Sequence, residues 1–216
     1  MRYAKLGLPL LCAAILVTGC RRTGEIEVDG GVGITAVRTA CPTVGVPAGT
    51  GDITLFDPPA SREASAIDVT AAITNVRATC GETGEDVVTS VTFDVVASRL
   101  RADAARRVTL PYFIAIVRGG TNVTAKRVGE VTIDFPAGQP RASVQATATS
   151  VIARSAATLP AEVRDQLTRR RRAGREEAAT DPLAAPGVRA AVARASFEAL
   201  VGFQLTDEQL RYNATR

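Results

Sequence analysis

The sequence predicts a mainly β fold: an antiparallel β-sandwich of six to seven strands, immunoglobulin-like, with a C-terminal α-helical appendage. Apolar and polar residues alternate in five long runs between residues 67 and 152, which is the period of half-buried strands. The links between these runs are too short for parallel crossovers, so neighbouring strands should be antiparallel. After residue 154, apolar residues recur at helical spacing instead. A closed barrel remains the alternative topology.

The predicted strands are bounded by turn-forming residues. The five long runs cover residues 67–73, 87–97, 108–116, 123–135 and 142–152. Gly119 and Gly120 form a credible two-residue hairpin turn between the third and fourth runs. Two shorter strands are predicted before them, at residues 35–41 and 52–56, and the second is stopped by Pro58 and Pro59.

The C-terminal region, residues 155–216, is predicted to be helical. Pro160 suits a first turn, and apolar residues follow at i, i+4 and i+8 over residues 159–167. A second helical pattern runs through residues 188–203, after a proline-punctuated linker. Thr206 and Gln209 have the spacing of a capping box, which predicts a last short helix.

The N-terminus has the layout of a signal peptide. Arg2 and Lys5 precede an uncharged apolar segment that is shorter than the roughly 18 residues needed to span a bilayer. The segment closes on Val-Thr-Gly-Cys at positions 17–20, which resembles the lipobox of bacterial lipoproteins. The resemblance implies that residues 1–19 are removed and that Cys20 carries a diacylglycerol thioether and an acylated amino group.

The resemblance also implies a cellular location and an order of domains. Arg21 stands where an Asp would resemble an inner-membrane retention signal, so we expect the outer membrane, with the protein facing the periplasm. Residues 20–34 would be a lipidated flexible tether, 35–154 the β-sandwich domain and 155–216 the helical region. From Cys41 to residues 202–210 the chain is similar to an uncharacterised family of small alphaproteobacterial outer-membrane lipoproteins, which implies no activity.

Two cysteines remain after the signal peptide and Cys20, namely Cys41 and Cys80. Only one pairing is available to them, and in an oxidising compartment we expect a structural disulfide that contributes about 2–4 kcal/mol. A redox or metal role is the alternative, but it would need closer Cys spacing or His ligands, and the chain has no His. A disulfide from the first predicted strand to the end of the third fits the immunoglobulin-like arrangement.

Most catalytic patterns are missing. Without His, the usual Ser-His-Asp and Cys-His relays are excluded within the chain, and no metal or cofactor is expected. A net charge of +4 with 4% aromatic residues argues against nucleic-acid binding. A hydrolase would have to use carboxylates such as Asp52, Asp57 and Glu63, placed about 5–10 Å apart in a cleft. The alternative role for these carboxylates is in turns.

One cluster of charge stands out, and its members are arginines on or after the first C-terminal helix: Arg164, Arg169, Arg170, Arg171, Arg172 and Arg175. The plainer interpretation is a solvated helix end, where cations suit the dipole. The functional interpretation is an anionic partner, such as lipid headgroups, lipopolysaccharide phosphates or an acidic protein surface.

Three functions therefore compete. The sequence favours a non-catalytic lipid-anchored envelope protein that supports or binds an outer-membrane or periplasmic assembly through a protein partner. The alternative is a periplasm-facing binding module for a lipid, glycan or small molecule, and a carboxylate-based enzyme is the third hypothesis. The sequence leaves the oligomeric state open.

Overall fold

The computed structural model describes residues 39–169, 174 and 180–215 of the 216. Two four-stranded sheets form a sandwich, which confirms the predicted fold class. Sheet I has the order β1-β8-β5-β6 and sheet II the order β2-β3-β4-β7. The eight strands in this part of the chain are β1 (Thr43–Gly45), β2 (Asp52–Phe56), β3 (Ile67–Thr83), β4 (Asp86–Arg99), β5 (Arg106–Arg118), β6 (Asn122–Phe135), β7 (Arg141–Ala153) and β8 (Phe197–Phe203).

Four α-helices accompany the sheets in the described residues. They are α1 (Arg154–Ala157), α2 (Ala161–Thr168), α3 (Pro186–Ala195) and α4 (Asp207–Thr215), with 3-10 turns at Ala64–Ala66 and Pro182–Ala184. The predicted capping box opens α4, because the Thr206 backbone donates to Gln209 Oε1 and the Gln209 backbone donates to Thr206 Oγ1. No helix in the described part of the chain is long and apolar enough to cross a membrane.

The five long predicted strands are confirmed as β3 to β7. Antiparallel pairing joins β3 to β4, β4 to β7 and β5 to β6. The β5–β6 hairpin turns at Gly119 and Gly120, whose φ angles of 64° and 79° suit a tight turn of the primed type. Alternation along the strands sends apolar side chains between the sheets, and the largest fully buried ones are Phe93, Phe135, Phe203 and Leu110.

The sequence predicts a first strand at residues 35–41, and this prediction is wrong for residues 39–41, which the structure describes. Residues 39–41 lie outside any strand, and residues 35–38 fall outside the described range. The backbone N–H of Cys41 donates to Thr39 Oγ1 at 2.8 Å, a local contact that replaces a ladder bond. Pairing begins only after Pro42, where β1 runs parallel to β8.

The helix predicted through Phe203 is also wrong beyond Ala195. The backbone N–H of Ser196 donates to the carbonyl of Ala193, which closes α3. The chain then enters β8, which lies between β1 and β5 in sheet I. Its inward residues Phe197, Ala199, Val201 and Phe203 are all buried. The C-terminal region therefore contributes a central strand to the sandwich as well as helices.

A glycine allows β8 to pass close to the loop before β2. A Cβ built on Gly202 would lie 2.8 Å from the Cβ of Thr50, closer than real Cβ contacts. The same approach lets the backbone N–H of Phe203 donate to the Thr50 carbonyl at 2.8 Å. The absence of a side chain at position 202 is what permits this hydrogen bond.

Two further contacts tie the elements together. The predicted disulfide joins Cys41 to Cys80, with the two Cα atoms 6.0 Å apart, and so fastens the segment before β1 to β3. At the opposite end of sheet II, the guanidinium of Arg99 is buried, with 5% of the residue exposed. It donates to the backbone carbonyls of Ala102, Ala104, Pro136 and Gln139 and lies 5.1 Å from the ring centroid of Phe135.

Candidate functional site

A cavity of about 370 Å³ lies between α4 and the region that contains β2 and the start of β3. Its lining combines two aromatic rings, two arginines, two carboxylates and several side chains with hydroxyl or amide groups. The lining residues are Thr54, Leu55, Phe56, Pro59, Arg62, Asp68, Arg106, Thr206, Glu208, Gln209, Tyr212 and Asn213. The mixture of apolar surface with a few convergent polar groups is typical of small-molecule sites.

An ion pair between the buried Asp68 and the more exposed Arg106 supplies two of the lining charges. Arg106 donates from both terminal nitrogens to the two carboxylate oxygens of Asp68, at 2.8 and 2.7 Å. Only 6% of the Asp68 side chain is exposed. The hydrogen bonds from Arg106 hold the pKa of the Asp68 carboxyl below its ordinary value, against the opposing effect of burial. Asp68 is therefore an ionised, fully engaged carboxylate at neutral pH.

A second arginine links Asp68 to the β2–β3 connection. Arg101 makes a short ion pair with Asp57 and lies 3.6 Å from an oxygen of Asp68. Asp57 and Arg101 are both more than half exposed, so solvent screens their pairing. The result is a chain of alternating charges, Asp57–Arg101–Asp68–Arg106, that joins the cavity to the surface.

The aromatic wall of the cavity comes from two elements. Phe56, the last residue of β2, meets Tyr212 of α4 edge to face, with ring centroids 5.2 Å apart. Arg62 lies 5.0 Å from the centroid of the Phe56 ring and pairs with Glu208 at 2.6 Å. Arg62 and Glu208 therefore connect the β2–β3 loop to the first turn of α4.

The far end of α4 is held by an asparagine. Asn213 donates from Nδ2 to the carbonyls of Gly49 and Asp52, both at 2.8 Å. With the Arg62–Glu208 pair in its first turn and this contact near its end, α4 is joined to the sandwich at both termini. The wall that it gives to the cavity is therefore preorganised.

The arginine cluster is only partly within the described residues. Arg164 lies on α2, where it is exposed, with its Nε 4.0 Å from Asp165. Arg169 directly follows the end of α2 and is exposed. Arg170, Arg171, Arg172 and Arg175 lie outside the described residues, as does Cys20. The structure brings neither Arg164 nor Arg169 to the lining of the cavity.

The three carboxylates considered for hydrolysis are not gathered in one cavity. Asp52 lines a separate groove of about 440 Å³ over β2, β3 and β4. Asp57 pairs with Arg101, and Glu63 is exposed in the loop, where its backbone N–H donates to Ser61 Oγ. Within the described ranges, no group of three or more His, Cys, Asp or Glu residues is placed to hold a metal ion.

Sequence reasoning missed the residues that form the cavity. Asp68 falls on the polar side of the alternating run at residues 67–73, and that side of such a pattern gives no sign of a buried charge. Phe56, Tyr212 and Arg106 come from distant parts of the chain, and only the docking of α4 brings the first two together. No protein-family model, curated protein or solved structure matches this chain.

Proposed function

We propose that this protein is a non-catalytic lipoprotein, anchored in the outer membrane through acylated Cys20, whose β-sandwich binds a component of an envelope assembly on the periplasmic side. The observation that carries the proposal is the lipobox-like sequence at positions 17–20, preceded by a basic and then an apolar segment. Three acyl chains would anchor the protein stably, since two are already sufficient.

The disulfide supports the proposed periplasmic location. Cys41 and Cys80 form a bond between the segment before β1 and β3. Such bonds form and persist in oxidising environments, which include the bacterial periplasm, and are rare in reducing ones. A secreted, lipid-anchored domain accounts for both the signal sequence and the oxidised cysteine pair.

Binding rather than turnover is supported by the charges beside the cavity. A general acid needs a proton near neutral pH, which usually requires a raised carboxyl pKa. At Asp68 the pKa is shifted downward by Arg106 instead. The exposed Arg164 and Arg169 leave part of the arginine cluster available to an anionic surface, which we propose as one contact with the partner.

A second candidate function is a binding module for a lipid, glycan or small molecule. The cavity between α4 and β2 favours it, because its volume of about 370 Å³ is within the range of small-ligand sites. This function is compatible with the same anchor.

The anchor is tested by replacing Cys20 with Ser and growing cells with a labelled fatty acid. We expect the wild-type protein to carry the label and to enter the detergent phase, and C20S to carry none. Cys12→Ser is the matched control, because Cys12 lies inside the apolar segment and should leave labelling unchanged. Equal labelling of C20S and wild type would overturn the lipoprotein assignment.

A further inference from the structure

We propose that the cavity between α4 and β2 binds an uncharged saccharide of one or two sugar rings. This inference rests on the second candidate function, ligand binding, and names the ligand class.

The charges that line the cavity cancel. Arg62 and Arg106 supply two positive charges, and Asp68 and Glu208 supply two negative ones. Each arginine is already paired with one of these carboxylates, at 2.6 to 2.8 Å. A charged ligand would compete with these pairs, and displacing Arg106 would be costly because Asp68 is buried. The site therefore favours a ligand without net charge.

The remaining lining suits a ligand that is apolar on its ring faces and polar at its edges. Tyr212 offers aromatic surface against which the C–H face of a sugar ring can pack, beside the Phe56 ring, over which Arg62 already lies. Gln209 keeps Nε2 as a donor, since its Oε1 accepts from the Thr206 backbone, and Asn213 keeps Oδ1 as an acceptor, since its Nδ2 donates to two backbone carbonyls. A sugar hydroxyl can accept from the first and donate to the second.

The size and the lining of the cavity argue against a lipid ligand. About 370 Å³ lies near the lower end of the range for small-ligand sites, which leaves room for one or two rings but not for an extended acyl chain. An acyl chain would also have to lie against the charged groups of Asp68 and Arg106, where it could satisfy none of their hydrogen bonds.

The test is saturation-transfer NMR on the full chain in detergent micelles. The probes are the β1,4-linked disaccharide of N-acetylglucosamine and maltose as uncharged saccharides, with glucuronate and inorganic phosphate as charged ones. We expect transfer to an uncharged saccharide and none to the charged probes. Tyr212→Ala should weaken saccharide binding about tenfold, because the aromatic wall is lost. Leu100→Ala is the control, since Leu100 is 67% exposed and is not part of the cavity lining.

Folding and function are separated by a second variant. Tyr212→Phe keeps the ring and should bind like the wild type, so loss of binding in both Tyr212 variants with an unchanged thermal transition would contradict the role of the ring. Binding of phosphate or glucuronate with no saccharide signal would overturn the saccharide assignment and leave ligand binding standing. If none of the four probes binds, the saccharide inference is wrong. A screen of uncharged non-sugar fragments by the same method then tests whether the cavity binds any small molecule.

Discussion

At the scale of single residues, the charged side chains of this protein differ most in how well they are shielded from water. Asp68 is almost fully buried and is held by both terminal nitrogens of Arg106, whereas Arg107 and Asp134 form an exposed pair on the β5–β6 ladder. Removing one partner should therefore cost more stability in the first pair, where a buried carboxylate would be left uncompensated, than in the second, which solvent screens.

The disulfide and the Asp68–Arg106 pair show what the sequence could predict at this scale. Cys41 and Cys80 were predictable because elimination left one pairing. Asp68 and Arg106 are 38 residues apart on strands of different sheets, and many other charged residues could have paired with either. Their contact depends on how the sheets pack, which no local pattern encodes.

Acid should destabilise this protein partly through Asp68. Its folded pKa lies below the ordinary value of 3.8, so the unfolded chain binds the proton more readily. The contribution to stability is fully present above the unfolded pKa and is lost as the pH falls through the lower folded pKa. We therefore expect the free energy of unfolding, measured in urea from pH 6 to pH 2, to fall below about pH 4.

Two asparagine variants isolate that effect. Asp68→Asn should lower the free energy of unfolding at pH 6. It should also make that free energy fall less steeply below pH 4, because the titrating carboxyl group is gone. Asp134→Asn removes one partner of the exposed pair with Arg107 and should leave the pH profile close to that of the wild type. If the Asp68 variant lost stability below pH 4 as steeply as the wild type, other carboxyl groups would be the cause of that loss.

At the scale of elements, the long strands were predictable and β8 was not. Strands β3 to β7 alternate over so many residues that the two-residue period has no competitor. In β8, Ala199 and Phe203 fit a helical spacing that continues from α3, while Phe197, Ala199, Val201 and Phe203 fit the strand period equally well. Pairing with β5 decides the matter, and that partner lies far away in sequence.

The two sandwich connections next to Arg99 should depend on that residue. Its guanidinium joins the β4–β5 connection, through Ala102 and Ala104, to the β6–β7 connection, through Pro136 and Gln139. Replacing Arg99 with Met keeps most of the packing but removes these hydrogen bonds. We expect a loss of about 3 kcal/mol in the free energy of unfolding, measured by urea denaturation.

The matched control for Arg99→Met is Arg107→Met. Both make the same substitution near the same end of the sandwich, but the Arg107 side chain is 72% exposed. Its replacement should change stability little. Equal effects of the two substitutions would contradict the claim that the buried guanidinium of Arg99 stabilises the two connections.

At the scale of the whole molecule, the cavity exists because α4 packs against β2 and the loop that precedes it. Asn213 of α4 binds the carbonyls of Gly49 and Asp52, and this contact places Tyr212 against Phe56. The sequence predicted that α4 would begin at a capping box, but its docking depends on β8, which the helical pattern concealed. The candidate site was therefore beyond sequence reasoning, whereas the lipobox-like sequence could be read directly.

The most direct test of the proposed lipid anchor is the mass of the N-terminal peptide from protein purified out of its own membranes. The account predicts a chain that begins at Cys20, with a diacylglycerol on the sulfur and an acyl chain on the amino group. A chain that still carries residues 1–19, or one with a free thiol at position 20, would contradict it.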